Sequence, residues 1–153
     1  MGLMERLQGP AQITNNMLAS LQVFLLLFFR IYVGWVFFSS GMWKYNNWEQ
    51  NLAVFEYEYA VPLLHYETAA YLATFGELVF PLFLFAGLGT RFAAIAITGI
   101  NIVAVVSYYA TLSKGAGIAL HQLYGAMLLV TIVYGGGMLS VDHWLKLKYG
   151  QNQ

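Results

Sequence analysis

Three ionisable side chains, Arg30, Glu77 and His121, lie inside or at the edge of long apolar segments of the sequence. A charge at the centre of a bilayer costs at least ~2.5–3.5 kcal/mol on insertion scales, so such residues usually pair or line a polar cavity. We expect Arg30 to face either Glu77 or a bound anionic or carbonyl-bearing group. Carboxylate and imidazole groups transfer protons in enzymes, so Glu77 and His121 are the candidate catalytic residues.

Other polar and small residues share helix faces with these three. Residues three or four apart lie on one face of a helix, and this spacing places Gly34 with Arg30 and Tyr124 with His121. The candidate cofactor-binding residues are Arg30, Gly34, Glu77, Asn101, Tyr108 and Tyr124. If their faces converge, they form a polar site that opens toward the outer side of the membrane. The alternative is structural, with an ion pair that joins two helices, an interhelical amide hydrogen bond, and glycines that allow close packing.

The position of Pro81 favours a cavity near Glu77. Pro81 follows Glu77 by four residues, and proline has no N–H to donate to the carbonyl four residues earlier. A helix through this region is therefore expected to kink and to leave the Glu77 carbonyl free. Irregular backbone at membrane depth is tolerated where it lines a cavity.

The composition indicates an integral membrane protein. Of the 153 residues, 59% are hydrophobic and 9% are charged, whereas a soluble domain has about 25% charged residues. The formal net charge is zero, so no basic surface indicates nucleic-acid binding. Cysteine is absent, which excludes disulfides, thiol redox chemistry and cysteine-ligated metal in this chain, and we expect no metal site. No known catalytic or nucleotide-binding motif is present.

Four apolar segments are long enough to cross about 30 Å of hydrocarbon as helices. We predict them at residues 18–43, 68–88, 92–112 and 119–139. Turns rich in glycine separate the last three segments, at residues 87–91 and 113–117. The predicted fold is an all-α membrane protein, a bundle of four transmembrane helices. Its predicted parts are a polar segment 1–17, a membrane domain 18–142 and a polar tail 143–153.

The connection between the first two segments, residues 44–67, is long, aromatic and acidic, which suits the level of the lipid headgroups. We expect Pro62 to end a short helix there. Basic residues are enriched in cytoplasmic loops, and more of them lie on the side of the two termini, namely Arg6, Arg91, Lys146 and Lys148. We therefore predict cytoplasmic termini and a periplasmic loop at 44–67, in a multi-pass protein of the bacterial inner membrane.

Four stretches of the sequence match the pattern of a known family. They are RIYVGWVFFSSGMWKY in the first segment, ELVFPLFLFAGLGTRFAA across the second segment and its turn, HQLYGAMLLV in the fourth segment, and GGGMLSVDHW at its end. On these stretches the chain resembles the DoxX family of small four-helix membrane proteins. The positions that resemble the family are Arg30, Gly34, Phe37, Gly41, Lys44, Glu77, Gly87, Arg91, His121, Gly137, Ser140 and Asp142. Tyr124 stands where the family commonly has tryptophan.

The resemblance implies a compact four-helix membrane bundle, and it implies more than one role. Some relatives are subunits of a thiosulfate:quinone oxidoreductase, and others are linked to oxidative-stress assemblies with a superoxide dismutase and a sulfurtransferase. More distant eukaryotic relatives act as cargo receptors or assembly chaperones.

Two main hypotheses follow. In the first, the protein is a quinone-linked subunit of a redox or oxidative-stress complex, in which Arg30 binds a quinone carbonyl or balances Glu77. Glu77 and His121 handle protons, and a soluble or membrane partner protein supplies the other redox centre. In the second, the protein is a non-enzymatic scaffold, assembly chaperone or receptor that contacts a partner through residues 45–67. A third hypothesis is a small-solute transporter. The glycine-lined helix faces would also allow two copies of the chain to pack as a homodimer.

Overall fold

The computed structural model describes residues 3–59, 61 and 63–150, and the regular structure within these ranges is helical. In chain order the helices are α1 (Leu3–Asn46), α2 (Trp48–Tyr57), α3 (Tyr66–Ala86), α4 (Thr90–Ser107), α5 (Tyr109–Leu112), α6 (Gly117–Tyr134) and α7 (Val141–Tyr149). The prediction for Pro62 concerns a residue outside the described ranges.

Four of these helices are long and apolar enough to cross a membrane, as the sequence predicts. They are the Thr14–Asn46 part of α1 and the whole of α3, α4 and α6. Large apolar side chains cover the outside of the bundle, where Phe75 is 61% exposed, Phe92 68% and Leu129 61%. A continuous apolar surface of this kind is compatible with lipid and not with water. The chain is therefore a multi-pass membrane protein.

Three of the four membrane helices differ from their predicted bounds by more than two residues. The fourth segment is predicted to reach residue 139, but α6 ends at Tyr134, before the glycine turn 135–137. The third segment is predicted to reach residue 112, but α4 ends at Ser107. Tyr108 has φ −118° and ψ 21°, outside the helical range, because its ring and hydroxyl contact the connection between α2 and α3. The first helix is longer than predicted, since α1 continues beyond both ends of the apolar segment.

Two glycines bring α1 close to α3. A Cβ built at Gly41 would lie 2.9 Å from the Glu77 Cβ and 3.0 Å from the Glu77 carbonyl carbon. A Cβ built at Gly34 would lie 2.6 Å from Cε1 of Phe85. The two contacts show that the helices are antiparallel and fix their register. They also identify both glycines as packing positions.

The main core lies between the four membrane-crossing helices and consists of Val33, Phe37, Leu84, Ala93, Ala94, Ile97, Tyr124 and Leu128. A smaller cluster packs α2 against α3 through Phe55, Ala69 and Ala70. Helix α2 therefore covers one end of the bundle, and α7 follows the last membrane helix at the other. These ends are called the α2 end and the α7 end below.

At the α7 end, Asp142 connects three helices. Its Oδ1 accepts a 2.7 Å hydrogen bond from the Gly89 amide, and its Oδ2 accepts a 2.8 Å bond from the Thr90 amide at the start of α4. The Asp142 amide donates to the Gly87 carbonyl at 2.9 Å. A carboxylate at a helix N-terminus satisfies free amides and is favoured by the helix dipole. Asp142 thus caps α4 from α7 and holds the α3–α4 turn.

Arg30 also lies at the α7 end, so the expected pairing of Arg30 with Glu77 is wrong. The Arg30 side chain is 1% exposed, and its Nη2 donates a 2.5 Å hydrogen bond to the Leu139 carbonyl. Its guanidinium lies against Gly87, where it leaves no room for a Cβ. The α1–α3 register places Gly87, and not Glu77, beside Arg30, and about 15 Å of helix separates Glu77 from Gly87. The expected depth was wrong because the contact of Gly41 with Glu77 places Glu77 about three helical turns nearer the α2 end than Arg30.

The Asp142 carboxylate remains ionised at this end of the bundle. Burial alone would raise the pKa of Asp142, but hydrogen bonds from the Thr90 and Gly89 amides and the Arg30 charge outweigh burial. Together they hold the pKa below its usual range. The charged form is therefore the one that stabilises the folded state.

Replacing Asp142 with asparagine should destabilise the protein. Asparagine has one acceptor oxygen for the two donor amides of Gly89 and Thr90, and it carries no charge. A hydrogen bond to a charged group contributes ~1.5–3 kcal/mol. We expect a lower melting temperature in detergent, measured by tryptophan fluorescence. Glu56→Gln, which removes an exposed carboxylate from α2, is the control. Equal melting temperatures for Asp142→Asn and the wild type would contradict the capping role.

The effect of Asp142→Asn should depend on pH. Because folding lowers the pKa of this carboxyl group, its contribution is fully present above the unfolded-state pKa of about 4. The contribution is lost as the pH falls through the folded-state pKa. The difference in melting temperature between wild type and variant should therefore shrink below about pH 4. A melting-temperature difference that grows as the pH falls would contradict this prediction.

Gly41→Ala should destabilise the bundle more than Gly99→Ala, although each variant adds one methyl group. At Gly41 the methyl would meet the α3 backbone, and overpacking of this kind costs ~1–3 kcal/mol. At Gly99 no atom lies within 4 Å of the new Cβ. Melting temperatures in the same detergent compare the two variants. Similar values for both would show that α1 and α3 are not in tight contact.

Candidate intramembrane site

A buried ion pair joins α1 and α3 near the α2 end. The Lys44 Nζ lies 2.5 Å from Oε1 of Glu77, and the two residues are 8% and 4% exposed. The other carboxylate oxygen of Glu77, Oε2, is buried and has no hydrogen-bond partner among the described residues. Buried polar atoms are usually satisfied, so this free acceptor can receive a hydrogen bond from a ligand or water.

The close contact of α1 with α3 positions this pair. Gly41 lies one turn before Lys44 and directly against Glu77, so the lysine side chain reaches the carboxylate from the next turn. Sequence reasoning named Lys44 as a position that resembles the family but gave it no role in the site, because it stands at the polar end of the apolar segment. One signal could have identified it, since the spacing of Arg30, Gly34 and Gly41 continues to Lys44 on the same face.

A first cavity, here called the lateral cavity, leads from the ion pair to the outer surface between α3 and α4. Its volume is about 250 Å³. Its walls are mostly apolar, and two of its lining residues, Leu72 and Val103, are 56% and 47% exposed on the lipid-facing surface. Gly99 lines it with open space where a side chain would be. The inner end is polar and consists of Lys44, Glu77 and the Tyr59 residue of the α2–α3 connection.

A second cavity, here called the polar cavity, lies on the other side of the same ion pair. Its volume is about 290 Å³, and Lys44 and Tyr59 line it as they line the lateral cavity. Four residues that the sequence places on converging faces also line it, namely Glu77, Tyr108, His121 and Tyr124. These four side chains therefore line one cavity, whereas Arg30, Gly34 and Asn101 of the same predicted set do not line it. Ser40 and Phe37 of α1 complete this side of the wall.

An aromatic stack crosses the α2 end of both cavities. The rings of Phe55 and Tyr59 are 4.6 Å apart with planes at 12°, and those of Tyr59 and Tyr108 are 4.5 Å apart at 6°. The Tyr108 hydroxyl donates a 2.7 Å hydrogen bond to Oε2 of Glu58. Sequence reasoning assigned the aromatics of this connection to the lipid interface, and nothing in their spacing indicated that Phe55 and Tyr59 face inward.

The Tyr59 hydroxyl is held in its protonated form. Burial raises the pKa of Tyr59 well above its usual range, and the neighbouring Glu77 carboxylate raises it further. The group is therefore a hydrogen-bond donor at any physiological pH. Together with the Lys44 ammonium, it gives the inner end of the lateral cavity two donors beside one carboxylate.

His121 is fixed by Asn101. The Nδ1 of His121 lies 2.6 Å from Oδ1 of Asn101, and Nδ2 of Asn101 donates to the His121 carbonyl at 3.0 Å. An amide oxygen only accepts, so Nδ1 carries the proton. In the neutral ring, Nε2 is then the acceptor. Asn101 therefore orients His121 across the α4–α6 interface and does not line either cavity.

Two predicted binding residues lie elsewhere. Arg30 is at the α7 end with Leu139 and Gly87, and Gly34 lies against Phe85. Neither residue lines either of the two cavities. The structure therefore separates the positions that resemble the family into two groups. One group surrounds the ion pair, and the other holds the α7 end together.

Comparison with known proteins identifies the family of this chain. The DoxX family profile matches residues 25–110, which include both members of the ion pair. A protein of Haemophilus influenzae described as uncharacterized is 33% identical over 129 residues, covering 81% of this chain and 85% of that protein. No solved structure matches the chain. The profile spans more than half of the chain, and the chain therefore belongs to the DoxX family.

Proposed function

We propose that the protein binds a lipid-soluble quinone between its helices and serves as a quinone-linked subunit of a redox complex. The observation that supports this most directly is the Lys44–Glu77 ion pair at the inner end of a cavity that reaches the lipid-facing surface. Intramembrane ionisable residues of this kind usually mark a functional site. In this proposal Lys44, and not Arg30, donates the hydrogen bond to the quinone carbonyl.

The lateral cavity suits an apolar molecule with a polar head. A quinone could enter from the bilayer between α3 and α4, where Leu72 and Val103 are exposed. Its apolar chain would remain against the apolar walls, and the open space at Gly99 would accommodate it. A carbonyl oxygen at the inner end would accept hydrogen bonds from Lys44 or Tyr59. Ligand sites of this type combine apolar walls with a few placed polar groups.

The residues around the cavities supply groups for proton transfer. A quinone held here would accept two electrons from a partner redox protein and two protons to give the quinol. Glu77 is an anion in the ion pair, so its Oε2, which has no partner among the described residues, would first take each proton and then pass it to the reduced quinone oxygen. His121 would pass both protons, one after the other, from periplasmic water to Glu77, and the Tyr108 and Tyr124 hydroxyls line the same cavity. Positioned acids and bases of this kind accelerate proton transfer.

The charges at the two ends favour a bacterial inner-membrane protein with the α7 end in the cytoplasm. The α2 end carries most of the glutamates of the chain, namely Glu49, Glu56, Glu58, Glu67 and Glu77. Arg91, Lys146 and Lys148 are at the α7 end. Basic residues concentrate on the cytoplasmic side. In this orientation the aromatic stack and the polar cavity are on the periplasmic side.

Removing the ion pair should weaken quinone binding without unfolding the protein. Replacing a buried pair by apolar residues is often neutral for stability, so Lys44→Met/Glu77→Leu should melt near the wild-type temperature. Its dissociation constant for a short-chain ubiquinone analogue, measured by fluorescence quenching, should rise at least about tenfold, as expected for loss of a charge-assisted hydrogen bond. Gly99→Leu, which fills the lateral cavity, should weaken binding similarly.

The matched control is Lys114→Met/Glu67→Leu, which removes the same two charges from exposed positions at the α2 end. It should bind the analogue like the wild type. Unchanged binding by both the ion-pair variant and Gly99→Leu would refute the quinone site. Organic extracts of the gently purified protein should also contain a stoichiometric quinone, detected by mass spectrometry.

A second candidate function is that of a scaffold, assembly chaperone or receptor. The observation that favours it is the exposed connection between α2 and α3. Tyr57 is 79% exposed, and Leu63 is fully exposed with a positive φ of 67°. A large apolar side chain in a left-handed conformation is uncommon and is often associated with function. In this reading the Lys44–Glu77 pair only joins helices.

Exchanging the two charges distinguishes the candidates. Each single variant, Lys44→Glu or Glu77→Lys, buries two like charges and should lower the melting temperature. The double variant restores an ion pair and should recover stability. A quinone site should not recover, because the donor and the carboxylate change places relative to Tyr59 and His121. Recovery of both stability and quinone-dependent activity in membranes would favour the structural reading.

A further inference from the structure

A third cavity lies at the α7 end, between the α3–α4 turn and the α6–α7 turn. Its volume is about 350 Å³. It is separate from the lateral and polar cavities and shares no lining residue with either. This cavity, here called the basic cavity, has Arg91 on one side and His143 and Lys146 of α7 on the other.

The basic cavity has an excess of positive charge. Arg91 and Lys146 both line it, and the carboxylate present, Asp142, already accepts hydrogen bonds from two amides with both of its oxygens. Among the described residues, Lys146 forms no ion pair. The Arg91 guanidinium donates to the Val133 carbonyl at 3.1 Å through Nη2 only, so its other N–H groups remain available. The cavity therefore offers several donors to an anion.

Three consecutive glycines, 135–137, line this cavity. Gly135 and Gly137 have positive φ angles of 75° and 70°, and a Cβ at Gly135 would lie 3.5 Å from Nε of Arg91. Within the described part of the chain, the amides of Gly136 and Gly137 donate no hydrogen bond. Successive free amides in a glycine turn are a common element of sites for phosphate groups.

The basic cavity lies at the depth where lipid headgroups are expected. It lies where α4 begins and α6 ends, at the boundary of the membrane-crossing helices. Tyr134, which lines it, is 59% exposed, and Trp144 beside it on α7 is 54% exposed. Exposed tyrosine and tryptophan mark the level of the headgroups. Phe92, 68% exposed on α4, offers an apolar surface for an acyl chain.

We propose that the basic cavity binds the phosphate of an anionic phospholipid, with Arg91 and Lys146 as its cationic contacts. The glycine turn supplies further donors, and the acyl chains lie along the exposed apolar faces of α4 and α6. Basic pockets between helices at a membrane surface bind acidic headgroups in this way. The proposal is independent of the quinone site, since the two use different residues at opposite ends of the bundle.

Native mass spectrometry of the full chain in mild detergent tests this site. The probes are phosphatidylglycerol and phosphatidylcholine with identical acyl chains, added separately. We expect the wild type to retain phosphatidylglycerol preferentially. Lys146→Gln should reduce its occupancy roughly fivefold, the effect of one basic residue near an anionic lipid surface. Arg91→Gln should reduce it further.

Lys114→Gln is the matched control, because it removes an exposed lysine at the opposite end, and it should bind like the wild type. Lys146 is exposed, so its variant should fold even if Arg91→Gln does not. Equal retention of the two lipids by the wild type, or unchanged phosphatidylglycerol binding by Lys146→Gln, would overturn the proposal. Full displacement of the lipid by inorganic phosphate would also overturn it and would indicate a site for a small anion.

Discussion

The close contact between α1 and α3 determines the positions of the main functional groups in this bundle. Gly41 has no side chain, so the backbone of α3 lies directly against α1 at Glu77. This single register brings Lys44 to Glu77 at one end and Arg30 to Gly87 at the other. A shift of one turn would separate Lys44 from Glu77, at a cost of several kcal/mol for the broken buried pair. It would also move the Arg30 guanidinium away from the space that Gly87 leaves for it.

Much of the fold followed from local patterns in the sequence. Hydropathy identified the four membrane helices, glycine identified their turns, and helical spacing grouped His121 with Tyr124, which line one cavity with Glu77. Tyr108 lines the same cavity although α4 ends before it, so its place does not follow from helical spacing. The partner of Glu77 could not be found in this way, because pairing depends on the register between two helices. This register depends on which glycine of one helix packs against which part of the other helix, and the spacing of residues within each helix does not specify it. Lys44, although named as a position that resembles the family, was therefore not recognised as this partner.

The buried charges at the two ends of the bundle have different kinds of partner. At the α2 end a cation and a carboxylate face each other, yet one carboxylate oxygen is left free beside two cavities. At the α7 end Asp142 accepts hydrogen bonds with both oxygens, and Arg30 donates from Nη2 to a backbone carbonyl, while its Nε and Nη1 have no partner among the described residues. Neither of the two cavities beside Glu77 reaches Arg30, whose guanidinium is packed against Gly87. The α2 end therefore combines a free acceptor with open space, which a site for a ligand requires.

Arg30 and its acceptor are far apart in the order of synthesis. The guanidinium belongs to the first membrane helix, but the Leu139 carbonyl that accepts from Nη2 comes 109 residues later, after the fourth. The Asp142 carboxylate that faces it comes later still. A nascent chain therefore carries an uncompensated cation in its first helix until the segment after α6 has been made. The bundle cannot close around Arg30 before its fourth membrane helix is in place, and a product truncated before Leu139 would retain an unpaired charge in the bilayer.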